Sequence, residues 1–418
     1  MVYISPQANS FFLSKEAMVQ LGVIPPSFPS IWSTIVQQQS DIASARTNST
    51  PAGNTTRPAH CNSGIAECGC PVRTVGSDLP QKLPFEPTED NIPAMKSYML
   101  DKYASSVLNQ CPHQELPSID APAMKFHVNV KDMRPICLKT PASIPLHWQD
   151  QVYAELERDV ALGVIEKVPY GEPILWCFRM VISRKHDGSP RRTVDLSPLN
   201  KFCEREVHPS QSPFRVVHSI PPGSVKSVFD AWNGFHLVMI PEEDRHYTNF
   251  STPWGIYRYK RAPQGYLASG DGFTRRFDEL VMHFERLGRI IDDSCLYDPA
   301  DSLETHWWRV LNFLDVCAKS GVVLNMKKFQ FSQLTVDFGG FRISSNTVEP
   351  LPKYLDAIRN YPTPRNITDI RSWFGLVNQV SHYSQLRDLM EPFRPFLSPK
   401  VEFVWTDELN QLFELLKV

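Results

Sequence analysis

The sequence lacks several features that would place it in a specialised class of protein. Glycine is sparse, at 19 of 418 residues, and no apolar run approaches the ~18–20 residues that a membrane-spanning helix requires. The first residues have no basic segment followed by an apolar core, so we expect neither a secretory signal nor a membrane partner. Neither sign of charge dominates, because 43 Lys and Arg residues accompany 45 Asp and Glu residues. Any affinity for a polyanion must therefore come from local clusters of basic side chains.

Cysteine is present, but not in the pattern of a disulfide framework. The nine cysteines are an odd number and are scattered through a long chain. This pattern is typical of reduced thiols, and we expect an intracellular protein, in a cytoplasmic particle or the nucleus. Two short pairs, Cys68-x-Cys70 and Cys111-x-His113, could together form a tetrahedral zinc site. Unligated thiols are the alternative.

Proline is the residue in excess, at 36 of 418, and its distribution divides the chain. Residues 36–66 are rich in Ser, Thr, Asn, Gln and Pro, which predicts a disordered linker. Residues 67–140 remain punctuated by proline and predict a largely extended lead-in, with one helix near Pro93–Asn109. From residue 141 onward, β-branched runs alternate with helical patterns, and this alternation predicts an α+β fold.

Two local patterns in the region from residue 141 onward each predict a particular element of secondary structure. Apolar residues recur every four positions in 152–160 and are followed by Gly163, which predicts an amphipathic helix with a C-terminal stop. The run 180–193 contains Asp187 and Gly188 at its centre, a pair that favours the tight turn of an antiparallel hairpin.

Two acidic sites stand out because each lies in an apolar strand context, where a carboxylate costs free energy unless something compensates it. Asp230 ends the run SVFD, and Asp292 and Asp293 are adjacent in RIIDDSCLYD. Adjacent carboxylates resist ionisation until a divalent cation binds, so the three could form a hard-oxygen site for Mg²⁺. Two such ions can activate a primer 3′-hydroxyl and neutralise a leaving pyrophosphate. The alternative is that Asp230 starts a turn and the pair caps a loop.

Several segments, in one order, resemble the reverse transcriptase of gypsy-type LTR retrotransposons, a part of the pol polyprotein. The resemblance covers roughly residues 140–418 and includes WCFRMVISRKHDGSPRRTVDLSPLN, FDAWNGFHLVMI, APQGY, IIDDSCLY, SGVVLNMKKFQF and VDFGGFRI. It implies a right-hand polymerase with fingers and palm in 141–345, a helical thumb or connection in 346–400 and the start of a truncated ribonuclease H-like region in 401–418. It also implies RNA-directed DNA polymerase activity. The substrates would be deoxynucleoside triphosphates (dNTPs) and a primed RNA or DNA template, and the cofactor two Mg²⁺ ions, or Mn²⁺.

The resemblance implies catalytic roles for individual residues. Asp230 and Asp292 would bridge the metal ions, with Asp293 as the auxiliary carboxylate. The backbone of Ala231 would complete the metal site. Lys328, in LNMKK, would help to protonate the departing pyrophosphate. A surface lysine without a role is the alternative for Lys328.

Six further residues are implied to bind the incoming nucleotide: Arg184, Lys185, Arg191, Phe235, Gln264 and Gly265. The three basic residues would grip the triphosphate, and a solvated hairpin tip is the alternative. Phe235 would be the aromatic gate that excludes a 2′-hydroxyl, or else a core residue of an alternating strand. The Gln-Gly pair would form a loop against the templating pair and the incoming base.

The sequence departs from the family at two places. Ile290 stands two positions before Asp292, where the family usually has Tyr, and Gly339 precedes Gly340, where a bulkier residue is expected. The carboxylates are kept, so we expect metal binding to persist and polymerase activity to change in fidelity or rate. The alternative is a catalytically silent fragment that only binds nucleic acid or other retroelement polyprotein products.

The remaining expectations concern the ends of the chain and its basic segments. Residues 1–35 resemble the C-terminal remnant of a retropepsin, but the chain contains no Asp-Thr/Ser-Gly triplet, so we expect no protease activity. We also expect no ribonuclease H or integrase activity, and interpret the chain as an internal piece of a polyprotein. Basic segments at 184–192, 258–261, 275–276 and 327–328 are expected to line a nucleic-acid cleft.

Overall fold

The computed structural model describes residues 68–76, 78–129, 134–138, 140–185, 187–380, 386–398 and 401–417. The expectations for residues 1–35 and 36–66 lie outside these residues. The described elements mix helices and strands, as the predicted α+β fold requires. None of the helices in these ranges is both long enough and apolar enough to cross a bilayer.

The described strands form three sheets. In chain order the strands are β1 (Ile165–Lys167), β2 (Phe178–Arg184), β3 (Pro190–Val194), β4 (Ser224–Asp230), β5 (Phe250–Thr252), β6 (Gly255–Tyr259), β7 (Leu287–Ile290), β8 (Asp293–Pro299), β9 (Gln330–Gln333), β10 (Val336–Phe338), β11 (Phe341–Ile343) and β12 (Val348–Pro350). The strand orders are β1-β6-β5-β2-β3 in the first sheet, β7-β8-β4-β9 in the second and β10-β11-β12 in the third.

The first sheet contains the predicted hairpin. Strands β2 and β3 pair antiparallel from Met180 opposite Val194 to Arg184 opposite Pro190. Gly188 adopts a φ of 84°, a left-handed conformation that favours glycine. The side chain of Asp187 accepts hydrogen bonds from the backbone amide and hydroxyl of Ser189, at 2.9 and 2.6 Å. The hairpin is therefore confirmed, and its turn is fixed by local chemistry.

The described residues also form ten α-helices. In chain order they are α1 (Ile92–Lys102), α2 (Gln149–Ala161), α3 (Ser197–Asn200), α4 (Pro213–His218), α5 (Ser269–Val281), α6 (Leu303–Lys319), α7 (Pro352–Arg359), α8 (Ile367–Val380), α9 (Leu386–Met390) and α10 (Asp407–Leu415). Helix α2 confirms the helix predicted from the four-residue spacing, and Gly163 follows it with a φ of 66°.

The second sheet is antiparallel, and aromatic side chains pack against it. Phe229, in β4, packs against Phe313 of α6 and against Phe329, with ring centroids 4.7 and 5.0 Å apart. Phe277 of α5 lies 6.4 Å from Phe313, also between ring centroids. Helices α5 and α6 therefore cover the sheet and fix the end of β4.

A chain of polar side chains runs through the interior of this second sheet. The hydroxyl of Ser227 lies 2.8 Å from Nε2 of His306, and Nδ1 of His306 lies 2.9 Å from Oδ2 of Asp298. All three residues are buried. Arg309 also donates to Asp298, at 3.1 Å. These hydrogen-bonded side chains tie β4 and β8 to α6. Because they are buried, their role is structural.

The segment predicted as an extended lead-in belongs to the main core. It contains α1, which ends earlier than the predicted helix near Pro93–Asn109. Met95, Met99 and Tyr103 are fully buried in the apolar cluster that also holds Phe229, Phe277 and Phe313. The Tyr103 hydroxyl donates to the carbonyl of Leu311 at 3.2 Å. Residues on both sides of the predicted boundary at residue 140 therefore pack in the same core.

The C-terminal helices form a separate apolar cluster. Trp373 of α8 is fully buried and packs against Phe393 and Phe413, with ring centroids 5.0 and 4.9 Å away. Phe413 belongs to α10, within the range 401–418 that the sequence assigns to the next domain. In the described structure this helix packs into the same apolar cluster as α8, which lies in the range predicted as thumb or connection.

Candidate active site

Three carboxylates meet at one end of the second sheet. Asp230 ends β4 and Asp293 begins β8, and the two are cross-strand partners in the register of the pair. Asp292 lies in the turn between β7 and β8, and its carbonyl accepts a hydrogen bond from the amide of Ala231 at 3.0 Å. The three acidic residues that the sequence predicts as a site are thus brought together by strand pairing.

The turn that carries Asp292 has a strained backbone. Ile291 adopts a φ of 53°, which costs a β-branched residue on the order of 1–2 kcal/mol. The Nη2 atom of Arg289 donates to the carbonyl of Ile291 at 2.7 Å, and the guanidinium lies 3.8 Å above the centroid of the Phe277 ring. Arg289, which the sequence analysis overlooked, therefore holds the turn from the core side.

One oxygen of Asp292 has no partner within the described structure. Its Oδ1 atom is buried without a hydrogen bond, and a Cβ built on Gly234 would lie 2.9 Å from it. A buried carboxylate oxygen is costly unless something neutralises it. Such an oxygen, beside two further carboxylates, is the donor set that a hard divalent cation prefers. The residues present therefore fit a metal ion at this point.

Burial, and then the charge of neighbouring carboxylates, raises the pKa of two of these carboxyl groups. Burial raises the pKa of Asp292, and the negative charge of Asp230 raises it further. Burial, followed by the charge of Asp230 and a hydrogen bond with it, raises the pKa of Asp293 to about 6. The site without a cation thus holds its protons more tightly than separate carboxyl groups would.

A loop after α6 supplies the polar groups that face Asp230. The Nζ atom of Lys328 donates to Oδ2 of Asp230 at 2.7 Å. Burial lowers the pKa of Lys328, but the hydrogen bond to Asp230 and the nearby acidic charges outweigh it and raise the pKa. The amide of Asn325 donates to the carbonyl of Asp230 at 2.8 Å, and its side-chain amide lies 3.4 Å from Oδ1 of Asp230. Sequence reasoning missed Asn325, although it lies in the same quoted segment as Lys328.

A cavity of about 430 Å³ joins this cluster to the third sheet. Asp230, Asp293 and Lys328 lie on one side of it, and Gly339 and Gly340 lie on its wall. The glycine pair joins β10 to β11, in the segment VDFGGFRI that resembles the hairpin holding the primer end. The structure therefore places that hairpin beside the carboxylates.

Three of the implied nucleotide-binding residues share a second cavity of about 390 Å³. Arg191, Gln264 and Gly265 lie on its wall. Gly265 has a φ of 95°, which favours glycine, and its carbonyl accepts from the side-chain amide of Asn200 at 2.8 Å. The loop that the sequence predicts to contact the incoming base thus lies beside the hairpin strand β3.

The other implied nucleotide-binding residues do not line this cavity. Arg184 ends β2, and Lys185 follows it with Nζ 3.7 Å from Oε1 of Glu155. Phe235 is partly buried and packs edge-on against Phe273 of α5, with ring centroids 6.1 Å apart. This position fits a packing role for Phe235 and leaves part of its ring accessible.

In two of the four basic segments, arginine side chains bond to groups within the protein and stabilise the fold. Arg261 is 2% exposed and donates to the carbonyls of Gly163, Leu116, Pro117 and His236. Arg276 is also 2% exposed and donates to the carbonyl of Pro122 at 2.7 Å. Arg275 forms an ion pair with Glu206, and Arg258 with Glu166. The expectation that 258–261 and 275–276 line a nucleic-acid cleft is wrong for Arg261 and Arg276, because both are buried and donate to backbone carbonyls.

Three of the four predicted zinc ligands come together, in segments that precede these cavities in the sequence. The ligand atoms of Cys68, Cys111 and His113 lie within 4.8 Å of one another, and Cys70 stands two residues after Cys68.

Comparison with known proteins relates this geometry to a family. Residues 183–343 match the family described as "Reverse transcriptase (RNA-dependent DNA polymerase)". A putative enzymatic polyprotein of Cassava vein mosaic virus is 26% identical over 258 residues, which are 60% of this chain and 39% of that protein. The transposon Tf2-3 polyprotein of Schizosaccharomyces pombe is 23% identical over 267 residues, 63% of this chain and 20% of that protein. The chain thus spans less than half the length of these relatives.

Solved structures with the same fold include two of a foamy viral protease-reverse transcriptase. The complex with an RNA/DNA hybrid aligns with a TM-score of 0.67 and 18% identity, over 81% of this chain and 47% of that one. The complex with double-stranded DNA aligns with a TM-score of 0.67 and 20% identity, over 82% of this chain and 72% of that one. The described chain therefore has the right-hand fold of a reverse transcriptase, and residues 183–343 match the reverse transcriptase family.

Proposed function

We propose that the chain is an RNA-directed DNA polymerase of a gypsy-type LTR retroelement, which transfers nucleotides from dNTPs to the 3′-hydroxyl of a primer on an RNA or DNA template. The observation that carries this proposal is the meeting of Asp230, Asp292 and Asp293, with the partnerless Oδ1 of Asp292, inside a reverse transcriptase fold.

The three carboxylates and the backbone of Ala231 would hold two Mg²⁺ ions, or Mn²⁺. Bound there, the ions would lower the pKa of the primer hydroxyl and neutralise charge on the triphosphate. The role of the protein is to keep hard-oxygen donors at one point: strand pairing fixes Asp230 against Asp293, and the Arg289-supported turn fixes Asp292. Their raised pKa values mean that a cation also relieves mutual repulsion.

Lys328 would act on the leaving group. Its ammonium lies against Asp230 and its side chain is 62% exposed, so it can reach a bound triphosphate without leaving the site. Its raised pKa keeps it protonated, as a proton donor to departing pyrophosphate must be. Asn325 would position both groups, because it bonds Asp230 through its backbone and side chain.

The incoming dNTP would bind against the first sheet. Arg191, Gln264 and Gly265 share one cavity there, and an exposed guanidinium beside a glycine loop suits a phosphate and a base. We assign triphosphate contacts to Arg184 and Lys185 as well, and the sugar gate to the accessible part of Phe235.

An intracellular setting and retroelement partners complete the proposal. The nine cysteines are odd in number and scattered along the chain, which suits a reducing compartment. Other products of the same polyprotein are the proposed protein partners, because the two relatives described above are polyproteins.

The test is template-directed incorporation by the full chain. With poly(rA)·oligo(dT), dTTP and Mg²⁺ or Mn²⁺, the wild type should extend the primer, and Asp292→Asn should lose at least about 10³-fold in rate because metal binding is impaired. Asp301→Asn is the matched control, because Asp301 is an exposed carboxylate before α6. If the wild type extends nothing with either ion but still binds the hybrid, the silent, nucleic-acid-binding alternative is correct.

A further inference from the structure

Two short segments that are distant in sequence bring soft metal ligands together outside the polymerase site. The Sγ atoms of Cys68 and Cys111 lie 3.7 Å apart. The ligand atoms of these two cysteines and of His113 all lie within 4.8 Å of one another. Cys70 stands two residues after Cys68 in the same segment. Two sulfurs and one imidazole thus meet at one point, with a third sulfur two residues away in the chain.

The separation of the sulfurs discriminates between a metal and a disulfide. Two thiolates at about 2.3 Å from a tetrahedral Zn²⁺ lie about 3.8 Å apart, whereas a disulfide requires a bond of about 2.05 Å. The observed 3.7 Å matches the first value and is too long for a bond between these two sulfurs.

Hydrogen bonds that do not involve the ligating side chains hold the backbone around the cluster. Arg73 donates to the carbonyls of Gln114 and Cys111, at 2.9 and 3.1 Å. Asn109 donates to the carbonyl of Pro71 at 3.0 Å and accepts from the amide of Cys111 at 3.0 Å. The two ligand-bearing segments are therefore fixed against each other, as a preorganised metal site requires.

We propose that Cys68, Cys70, Cys111 and His113 bind one Zn²⁺ in a closed, structural Cys₃His site. Four protein ligands leave no open position for a substrate, so the ion cross-links the two segments and does not take part in a reaction. Sulfur and nitrogen donors select zinc, whereas the carboxylates of the polymerase site select Mg²⁺ or Mn²⁺. The proposal does not depend on the proposed polymerase activity.

The cross-link would also support the polymerase loop. The amide of Met326 donates to Oε1 of Gln110, the neighbour of Cys111, at 3.2 Å. The amide of Leu324 donates to the carbonyl of Val107 at 2.7 Å. Between these two anchors lies Asn325, which bonds Asp230. A zinc ion at the cluster would therefore stiffen the segment that backs the catalytic loop.

Elemental analysis of the purified full chain tests the proposal. We expect about one zinc per wild-type chain after dialysis, and a content about tenfold lower in Cys111→Ser and His113→Ala. Cys137→Ser is the matched control, because Cys137 is an exposed cysteine outside the cluster and should leave the zinc content unchanged. Asp292→Asn should also keep its zinc, which separates this site from the polymerase site.

A second measurement on the unaltered protein guards against variants that do not fold. Replacement of zinc by Co²⁺ should give the d–d bands of a tetrahedral site and a thiolate charge-transfer band, and modification of the thiols should release the zinc to a colorimetric chelator. Absence of zinc from the wild type, a Cys68–Cys111 disulfide in non-reducing mass spectrometry, or full zinc content in Cys111→Ser would each overturn the proposal.

Discussion

Ile290 occupies the space in which residue 339 would otherwise carry a side chain. A Cβ built on Gly339 would overlap the Cδ1 atom of Ile290. Ile290 ends β7 and Gly339 follows β10, so the contact joins the catalytic turn to the third sheet. The two departures from the family pattern, separate in sequence, are one feature in space.

The contact predicts coupled stability effects at the two positions. Gly339 has a φ of 58°, so Gly339→Ala should cost about 1–2 kcal/mol from the backbone alone. The overlap should add about 0.5–1.5 kcal/mol, because Ile290 must leave its preferred rotamer. Ile290→Val removes only the Cδ1 atom, so in the double variant the cost of the overlap should disappear and the backbone cost should remain. Chemical denaturation in a double-mutant cycle measures the coupling.

Ile343→Val is the control for this cycle. Ile343 is buried in the same apolar cluster, and its loss of one methyl group does not open space at Gly339. Equal rescue of Gly339→Ala by both valine variants, or strict additivity, would contradict the assigned contact.

Lys328 should matter for turnover more than for binding. Lys328→Gln removes the ammonium that lies 2.7 Å from Asp230, and loss of a proton donor to the leaving group should lower kcat by about 10²-fold with little change in KM for dNTP. Lys327→Gln removes the same charge from an exposed neighbour and should change kcat by less than about twofold. Steady-state kinetics measures kcat and KM for both variants. An equal loss of kcat in the two would mean that only the local positive charge matters, and not a proton donor at position 328.

The raised pKa of Asp293, about 6, predicts how stability depends on pH when no metal is present. Between the ordinary carboxyl pKa of about 4 and this value, the folded state binds more protons than the unfolded state, so this group makes unfolding easier as pH rises. In EDTA, the free energy of unfolding of the wild type should therefore fall relative to Asp293→Asn between pH 4 and pH 6 and then level off. A difference that stays constant across this range would show that the carboxyl titrates normally.

The same acidity predicts the pH dependence of metal binding. Because a proton must leave Asp293 before a cation binds, the apparent affinity for Mg²⁺ should fall about tenfold for each pH unit below the pKa. Thermal stabilisation by Mg²⁺ at pH 5 and pH 7.5 measures this directly. Asp301→Asn should show the wild-type dependence, since its carboxylate is exposed and follows the end of β8 opposite to Asp293.

The buried polar chain in the second sheet should contribute to stability. His306→Ala leaves Asp298 and Ser227 without one partner each, and it should destabilise the fold by about 3 kcal/mol. His283→Ala, on an exposed histidine, should change stability by less than about 0.5 kcal/mol. Denaturation curves that move equally for both variants would mean that the chain of hydrogen bonds contributes nothing.

The parts of the fold that the sequence predicts are those with local causes. The four-residue apolar spacing before Gly163 yields α2, and Asp187 and Gly188 close the β2–β3 turn. The acidic cluster could be recognised because carboxylates in apolar strands are rare. The three carboxylates meet because strand register places Asp230 opposite Asp293. The resemblance implied a shared metal site, but residue spacing alone did not show this register.

The features that were missed depend on contacts between distant segments. Arg261 and Arg276 look like free cations in sequence, but each reaches backbone carbonyls contributed by segments far away in the chain. Charge counts do not reveal which carbonyls will lack other partners. Asn325 likewise looks like an ordinary loop residue until the loop is placed beside Asp230.

The burial of α1 and its neighbours in the central core sets a lower limit on the length of an independently folding fragment. A recombinant piece that begins at residue 140 would lack Met95, Met99 and Tyr103 and would expose the apolar surface that they cover. Such a piece should aggregate, whereas one that begins near Cys68 retains these side chains. A protease that cuts a loop between α1 and α2 should likewise leave two pieces that remain associated, so a nicked chain would run as two bands on a denaturing gel and elute as a single species under native conditions.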